Sequence, residues 1–228
     1  MNDAVVVGPD EVDSKALAAS FGVPVPRGVR VNKSADVTQA IAGLQPPFVL
    51  KILSQTPIHK SDVGGVKVGL TSNDDLVAGI QQMQEDPRIP IGVVSGYLVE
   101  EMAVSGQEII LGAKVDPSFG PVIMVGAGGI YVHVLDDVSV RVCPVTADDA
   151  LEMLEELRIA PVIFGARGQE PVDVEGLVDA IVRIGGEGGL MMTHQDAISE
   201  LDINPLIVDS KGVWAVDVRV VPTNGGAQ

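Results

Sequence analysis

The segment FVLKILSQTPIHKSDVGGVKVGL, Phe48–Leu70, predicts two short strands joined by a polar loop and a glycine turn. Its first six residues form an apolar run behind Pro46 and Pro47, which is typical of a strand. Side chains alternate along a strand, so Lys51 would share one face with apolar neighbours. A lysine is costly to bury unless an anion meets it. Lys51 is therefore either an anion-binding residue or a side chain that snorkels at the strand edge.

The second strand begins at Val66, directly after Gly64 and Gly65. Backbone N–H groups of Gly64, Gly65 and Val66, with lysines on both arms, can hold phosphate oxygens. Two glycines between strands more often form only a turn, and both interpretations remain open.

His59 lies in the polar loop with no apolar periodicity around it, unlike a histidine packed in a core. Its imidazole, with an ordinary pKa of ~6.5, is mostly neutral at neutral pH and can take up a phosphoryl group covalently. A solvated loop histidine without a chemical role is the alternative.

Composition excludes several classes of protein. With 228 residues and 46% hydrophobic content the chain can form one large domain or two subdomains. No apolar run reaches the ~18 residues of a membrane helix, and no secretory signal is visible, so no membrane partner is expected. The net charge of −16 and 3% aromatic content argue against a nucleic acid partner. Cys143 is the single cysteine, which suits a reducing cytoplasm.

Local patterns predict an alternation of helices and strands, and hence an α/β (α+β) fold. The predicted helices cover residues 11–21, 34–44, 73–85, 146–157 and 173–184. The predicted strands cover residues 28–31, 48–53, 66–70, 93–102, 106–115, 121–125, 130–135, 138–142, 201–208 and 213–221.

The last two strands predict a candidate metal site. A four-residue hairpin loop, Asp209–Gly212, would pair Val208 with Val213. Asn204 then faces Asp217, and Asp202 and Arg219 share their face. Carboxylate and amide oxygens suit Mg²⁺. Alternatively, Asp202 and Arg219 form a surface ion pair, and Pro205 shifts the register by one residue.

Three motifs together resemble one known family. They are HKSDVGGV (59–66), DPSFGPVIM (116–124) and ELDINPL (200–206). The chain resembles, over about residues 12–221, the ATP-grasp domain of the NDP-forming acyl-CoA synthetases. Within that group it looks like the β subunit of ADP-forming acetate–CoA ligase and, more distantly, that of succinyl-CoA synthetase.

The resemblance implies an ATP-grasp fold of two subdomains with nucleotide bound between them. We expect a smaller subdomain over residues 1–92, with the His59 loop, and a larger one over 93–228, with the metal-binding hairpin. Asn204 and Asp217 match the family's pair of magnesium ligands.

The resemblance also suggests roles for three charged residues. Glu100 lies where such proteins hinge around the adenine, and Glu108 matches an acidic residue that meets the ribose or polyphosphate. Arg141 is typical of the family and meets either phosphate or an ordinary ion-pair partner. From the residues alone, outward-facing charge on a half-exposed sheet is the favoured interpretation of Glu100 and Glu108. His133 stands where the family usually has an acidic residue.

The implied reaction is acyl-CoA + ADP + phosphate ⇌ acid + CoA + ATP, with ATP/ADP and Mg²⁺ bound here and a phosphoryl group shuttled by His59. The chain contains no strand–GxGxxG–helix unit, so the CoA-binding half, with its own phosphohistidine, is expected in a separate α subunit of a hetero-oligomer. Two alternatives stay open: an ATP-grasp carboxylate–amine ligase that needs no phosphohistidine, and a module that senses ATP without turnover.

Overall fold

The computed structural model describes residues 10–54, 60–90, 92–129, 137–166, 168 and 170–223. The chain divides into two compact units. The smaller unit contains Gly8–Val12 and Pro26–Ala103, and the larger unit contains Asp13–Val25 and the chain from Val104 onward. Helix α1 (Glu11–Ser20) therefore begins in the smaller unit and continues in the larger one.

The smaller unit is a four-stranded antiparallel sheet with helices on one face. Its strands are β1 (Gly28–Val31), β2 (Phe48–Ser54), β3 (Val66–Leu70) and β4 (Val94–Glu101), in the order β1-β4-β2-β3. A 3₁₀ turn (Ser34–Asp36) leads into α2 (Val37–Ala40), and α3 (Asn73–Glu85) follows β3.

The core of the smaller unit lies between α3 and one face of this sheet. Leu76 and Ile80 of α3 pack with Leu50 and Ile52 of β2, and all four are fully buried. Apolar residues on alternate strand positions meet residues at helical spacing, as the two periods require.

The larger unit is built on a six-stranded antiparallel sheet. Its strands are β5 (Gln107–Asp116), β6 (Gly120–Ala127), β7 (Val138–Val142), β8 (Ile198–Asp209), β9 (Gly212–Ala215) and β10 (Val218–Pro222). The strand order is β10-β8-β5-β6-β7, and β9 also pairs with β8. The described helices of this unit after α1 are α4 (Ala147–Glu155), α5 (Ala160–Ile163), α6 (Val174–Gly185) and α7 (Leu190–His194).

The two faces of the larger sheet differ in character. Ile109, Ile123 and Val125 are buried in one core with Met153 of α4 and Ile181 of α6. We call the opposite side of the sheet the open face. It carries the residues between these core positions, including Lys114, Asp202 and the half-exposed Val140.

The observed division differs from the boundary expected at residue 92. Strand β4 belongs to the smaller unit because it pairs with both β1 and β2. Residues 13–25 belong to the larger unit, where the backbone N–H of Val220 donates to Ser14 Oγ at 3.3 Å. Such non-local pairing leaves no signal in the local sequence.

Secondary-structure predictions were accurate for most long elements and less so for short ones. The helix predicted over 34–44 is a 3₁₀ turn and the four-residue α2, which ends at Ala40. Helices α5 and α7, of four and five residues, were not predicted. The strand predicted over 130–135 lies outside the described residues. No helix of the described ranges is long and apolar enough to cross a membrane.

Candidate functional site

Lys51 is buried in β2 with carboxylates as partners. Its Nζ donates to Glu11 Oε1 at 2.7 Å and lies 2.9 Å from Glu100 Oε2. The Lys51 side chain is 4% exposed, so its ammonium group does not snorkel to an exposed edge. The anion that a buried lysine requires is, in this structure, supplied by the protein itself.

Glu100 is the cross-strand neighbour of Val49, and its side chain is only 2% exposed. It is therefore not an outward-facing charge, since its carboxylate is an ion-pair partner of Lys51.

Sequence reasoning missed Glu11. This residue opens α1, where a carboxylate is favoured by the helix dipole, and its side chain is 1% exposed. Its second oxygen, Oε2, accepts from Lys60 Nζ. The cost of burying Lys51 signals that an acidic partner exists, but not which of 31 acidic residues provides it.

The glycine pair before β3 forms a closed turn. Gly64 N donates to the Ser61 carbonyl at 3.3 Å, and Gly65 N donates to the Lys60 carbonyl at 2.7 Å. Gly64 has φ of 76°, and a Cβ at Gly65 would lie 2.6 Å from Ile52 Cδ1. The turn itself therefore requires both glycines. Val66 pairs with Lys51 in the ladder between β2 and β3. A contact of the Gly64 and Gly65 amides with phosphate would require this turn to open.

The predicted phosphoryl acceptor, His59, lies outside the described residues, as does His133. The described chain resumes at Lys60, the residue that follows His59. Lys60 is therefore the described residue closest to His59 in the sequence.

Glu108 lies on the open face of the larger sheet. It pairs with Ile207 of β8, and its carbonyl accepts from Gly128 N at 2.9 Å. A Cβ added at Gly129 would lie 2.8 Å from Glu108 Oε2, so the carboxylate lies against the glycines that follow β6.

The C-terminal hairpin has the predicted register. Val208 pairs with Val213, and Asp202 pairs with Arg219. Between these pairs, Asn204 N donates to the Asp217 carbonyl at 3.1 Å, so the two residues face each other. The loop is shorter than predicted: Asp209 and Gly212 are themselves paired, which leaves a two-residue turn.

Pro205 does not shift the hairpin register. The irregularity lies in the ladder between β8 and β5. Leu206 pairs with Ile109 and Ile203 pairs with Leu111, so three residue steps along β8 match two along β5. A bulge of this kind accommodates a proline in a central strand. Asn204 is exposed on the open face, where Asp202 and Asp217 are partly exposed.

The hairpin concentrates negative charge. Burial raises the pKa of Asp202, and the nearby charges of Glu200 and Asp217 raise it further, while Arg219 opposes them. Within the described ranges, no three or more His, Cys, Asp or Glu side chains form a metal cage. The Asp217 carboxylate and the Asn204 amide oxygen, in a negative field, suit Mg²⁺, which takes one or two protein ligands and completes its shell with phosphate and water.

Arg141 is separated from these groups by the sheet. It pairs with the core residue Ile123 and therefore points to the helix-covered side. Its guanidinium lies 2.6 Å from Glu156 Oε1 and 3.9 Å from Glu152 of α4. The geometry favours the ion-pair alternative for Arg141.

The larger unit therefore brings Glu108, Asn204 and Asp217 onto one face, and the smaller unit brings Lys51 and Glu100 together. A family model described as an ATP-grasp domain matches residues 8–221. The chain belongs to the ATP-grasp family. Its two antiparallel sheets with helices agree with the expected ATP-grasp fold.

Relatives with named activities cover most of this ATP-grasp chain. It is 37% identical to the β subunit of acetate–CoA ligase [ADP-forming] I of Pyrococcus furiosus, over 92% of this chain and 90% of the relative. It is 38% identical to acetate–CoA ligase [ADP-forming] I of Archaeoglobus fulgidus, but spans only 29% of that longer protein.

Solved structures agree with these matches. The dinucleotide-forming acetyl-coenzyme A synthetase 1 of Ca. Korarchaeum cryptofilum, in complex with coenzyme A and Ca-AMPCP, has a TM-score of 0.87 and 36% identity, covering 94% of this chain and 93% of that chain. A second complex, with coenzyme A and Mg-AMPPCP, has its phosphohistidine segment pointing towards the nucleotide binding site; it gives a TM-score of 0.78 at 36% identity, covering 93% and 92% of the chains.

Proposed function

We propose that this chain is the nucleotide-binding β subunit of an ADP-forming acyl-CoA synthetase, which catalyses acyl-CoA + ADP + phosphate ⇌ acid + CoA + ATP. The observation that carries the proposal is the match to a named β subunit along nearly the full length of both chains. The family-model match over residues 8–221 spans His59, and a similar solved synthetase has a phosphohistidine segment that points towards its nucleotide binding site.

The proposed phosphoryl acceptor is His59. In the direction from ATP, the bond between the γ-phosphorus and its bridging oxygen breaks, and ADP leaves with that electron pair. The lone pair of a neutral imidazole nitrogen forms the new N–P bond. Transfer of this kind depends on positioning and on neutralising the phosphate charge.

The proposed ligands of the nucleotide are divided between the two units. Lys51 of the smaller unit steadies phosphate, beside Glu100, and Glu108 of the larger unit meets the ribose or polyphosphate. Asn204 and Asp217 would hold Mg²⁺, which when bound neutralises charge on the phosphate oxygens. Arg141 is left out because it pairs with Glu156 on the helix-covered side.

The partner in this proposal is a CoA-binding α subunit with its own phosphohistidine, in a hetero-oligomer. The longer A. fulgidus ligase contains a further part that has no match here, which is consistent with a division of the activity between chains. The proposed compartment is the cytoplasm, since Cys143 has no second cysteine in the chain to pair with.

The test is phosphorylation of the complex. The chain is co-purified with the CoA-binding subunit and incubated with γ-labelled ATP and Mg²⁺. We expect acid-labile, base-stable label on this chain, and its loss in His59→Ala. His194→Ala is the matched control, because His194 contacts Phe21 edge-on in the larger unit and should leave labelling unchanged.

Unlabelled wild type with unchanged turnover in His59→Ala would reject the phosphohistidine. Formation of an amide from an acyl phosphate would then indicate a carboxylate–amine ligase, and nucleotide binding without turnover would indicate a sensor.

A further inference from the structure

One carboxylate bridges two lysines in the smaller unit. Glu11 Oε1 accepts from Lys51 Nζ at 2.7 Å, and Glu11 Oε2 accepts from Lys60 Nζ. Each carboxylate oxygen of Glu11 therefore accepts from a different ammonium group, and the single carboxylate brings the two cations close together. Two ammonium groups that both contact one carboxylate would repel each other if that carboxylate were removed.

Lys60 is also fixed through its main chain. Its carbonyl accepts from Gly65 N at 2.7 Å, and the Gly65 carbonyl accepts from Ile52 N at 2.9 Å. Because Ile52 follows Lys51 in β2, the closed turn holds the Lys60 backbone against the same strand. Both the backbone and the side chain of Lys60 are thus tied to the surroundings of Lys51.

The two lysines differ in their access to solvent. The side chain of Lys51 is 4% exposed, whereas that of Lys60 is 16% exposed. Lys51 also has Glu100 as a second anionic neighbour at 2.9 Å. Lys60 is therefore the cation of the pair that a phosphate group reaches more readily, and it directly follows His59 in the sequence.

We propose that Lys60 is a second phosphate-binding cation beside Lys51, and that Glu11 is the positioning residue that holds the two ammonium groups together. This proposal rests on the proposed function, since it deepens the phosphoryl-transfer site. Lysine has three N–H donors, so one ammonium group can serve a carboxylate and a phosphate oxygen together. Glu11 acts through the lysines and does not itself contact phosphate.

The experiment compares single-turnover rates of labelling by γ-labelled ATP in the complex with the CoA-binding subunit. Lys60→Gln and Glu11→Gln should each slow labelling by about 10- to 100-fold, as expected from misplacing a group at the reacting centre. The Kd for ADP, which lacks the transferred phosphoryl group, should change by less than about threefold. Lys60→Arg should restore most of the rate because it keeps the charge.

Asp10→Asn is the matched control. Asp10 is a buried carboxylate immediately before Glu11, and it receives bonds of 2.5 and 3.0 Å from Arg30. The substitution removes the carboxylate charge that pairs with Arg30 at the same end of α1, and it leaves Glu11, Lys51 and Lys60 themselves unchanged. It should leave the labelling rate and the ADP affinity unchanged.

A double-mutant cycle separates positioning from general damage. If Glu11 acts through Lys60, the Glu11→Gln/Lys60→Gln pair should label no more slowly than the slower single variant. Multiplied effects, or a rate for Lys60→Gln equal to wild type, would overturn the proposal. If Glu11→Gln does not fold, as its thermal melt would reveal, the Lys60→Gln and Lys60→Arg rates still decide on Lys60.

The proposed function can fail separately. If wild type is not labelled and His59→Ala retains turnover, the phosphohistidine and this proposal are both rejected. If wild type is labelled on His59 and Lys60→Gln is labelled equally fast, only the role of the lysine pair is rejected.

Discussion

The two units differ in how their charged side chains are paired. In the smaller unit, Glu11 and Glu100 are buried with Lys51 and Lys60, so that two carboxylates meet two ammonium groups. In the larger unit, burial and then the neighbouring carboxylates of Glu200 and Asp217 raise the pKa of Asp202, although Arg219 opposes them. The charges of the first cluster are balanced within the protein, whereas the second group has an excess of negative charge.

This difference indicates a division of work in the proposed reaction. The balanced cluster keeps lysines oriented while no phosphate is present, at the cost of burying charge. The acidic hairpin remains a hard-oxygen site whose charge a divalent cation would neutralise. In the proposed reaction, the first cluster would contribute positioning, and the acidic hairpin would contribute affinity for a metal–nucleotide complex.

The largest effect should come from breaking the balance of the first cluster. Lys51→Met removes the cation that Glu11 and Glu100 both contact. Because this leaves buried carboxylates without that partner, we expect the free energy of unfolding to fall by about 3–5 kcal/mol. Urea unfolding measures the loss. Lys67→Met, at an exposed hydrogen bond to Gln82, is the control and should stay within about 0.5 kcal/mol. Equal losses of unfolding free energy in the two variants would contradict a stabilising role for the buried ion pairs of Lys51.

The acidic hairpin should be tested through metal affinity. Asp217→Asn removes one carboxylate from the candidate site, so Mg²⁺–ADP should bind about tenfold more weakly or worse, equivalent to ~1.4 kcal/mol. Titration calorimetry with and without Mg²⁺ measures the change. Asp179→Asn, at the ion pair with Arg183 on α6, is the matched control. Unchanged Mg²⁺ dependence in Asp217→Asn would argue against this metal site.

A smaller effect is expected at Arg141, which lies on the helix-covered face of the larger sheet and not on the open face. Arg141→Ala should leave Mg²⁺–ADP affinity within about twofold. It should reduce the free energy of unfolding by no more than about 1 kcal/mol, because its partner Glu156 is largely exposed. Calorimetry and urea unfolding give both quantities. A loss of Mg²⁺–ADP affinity as large as that in Asp217→Asn would instead support a phosphate-binding role for Arg141.

The smallest effect concerns an exposed pair beside the glycine turn. Hydrogen bonding to Arg88 lowers the pKa of Asp86 to about 2. Because the folded-state pKa is depressed, this contribution is complete above the ordinary pKa of an aspartate and is lost as the pH falls towards 2. Between pH 5 and pH 2.5, wild type should therefore lose slightly more stability than Asp86→Asn in urea unfolding. Identical pH dependence in the two proteins would mean that the pair contributes nothing.

Much of the fold was accessible from local patterns. Alternation and turn residues located β2, β3 and the C-terminal hairpin, and the register that pairs Asp202 with Arg219 is confirmed. The family resemblance is confirmed by the match to an ATP-grasp domain. The roles assigned to Lys51, Asn204 and Asp217 remain proposals, and His59 lies outside the described residues.

The sequence by itself determined the strand–turn–strand and the hairpin register, because side-chain alternation and turn geometry act over a few residues. Its three motifs together carried the family resemblance. Only the tertiary structure decided that Glu11 meets Lys51 across 40 residues, that β4 joins the smaller unit and that Arg141 lies on the helix-covered side. These depend on which strands pair and which charges are buried together. Such contacts arise from the packing of distant segments, and no local pattern records them.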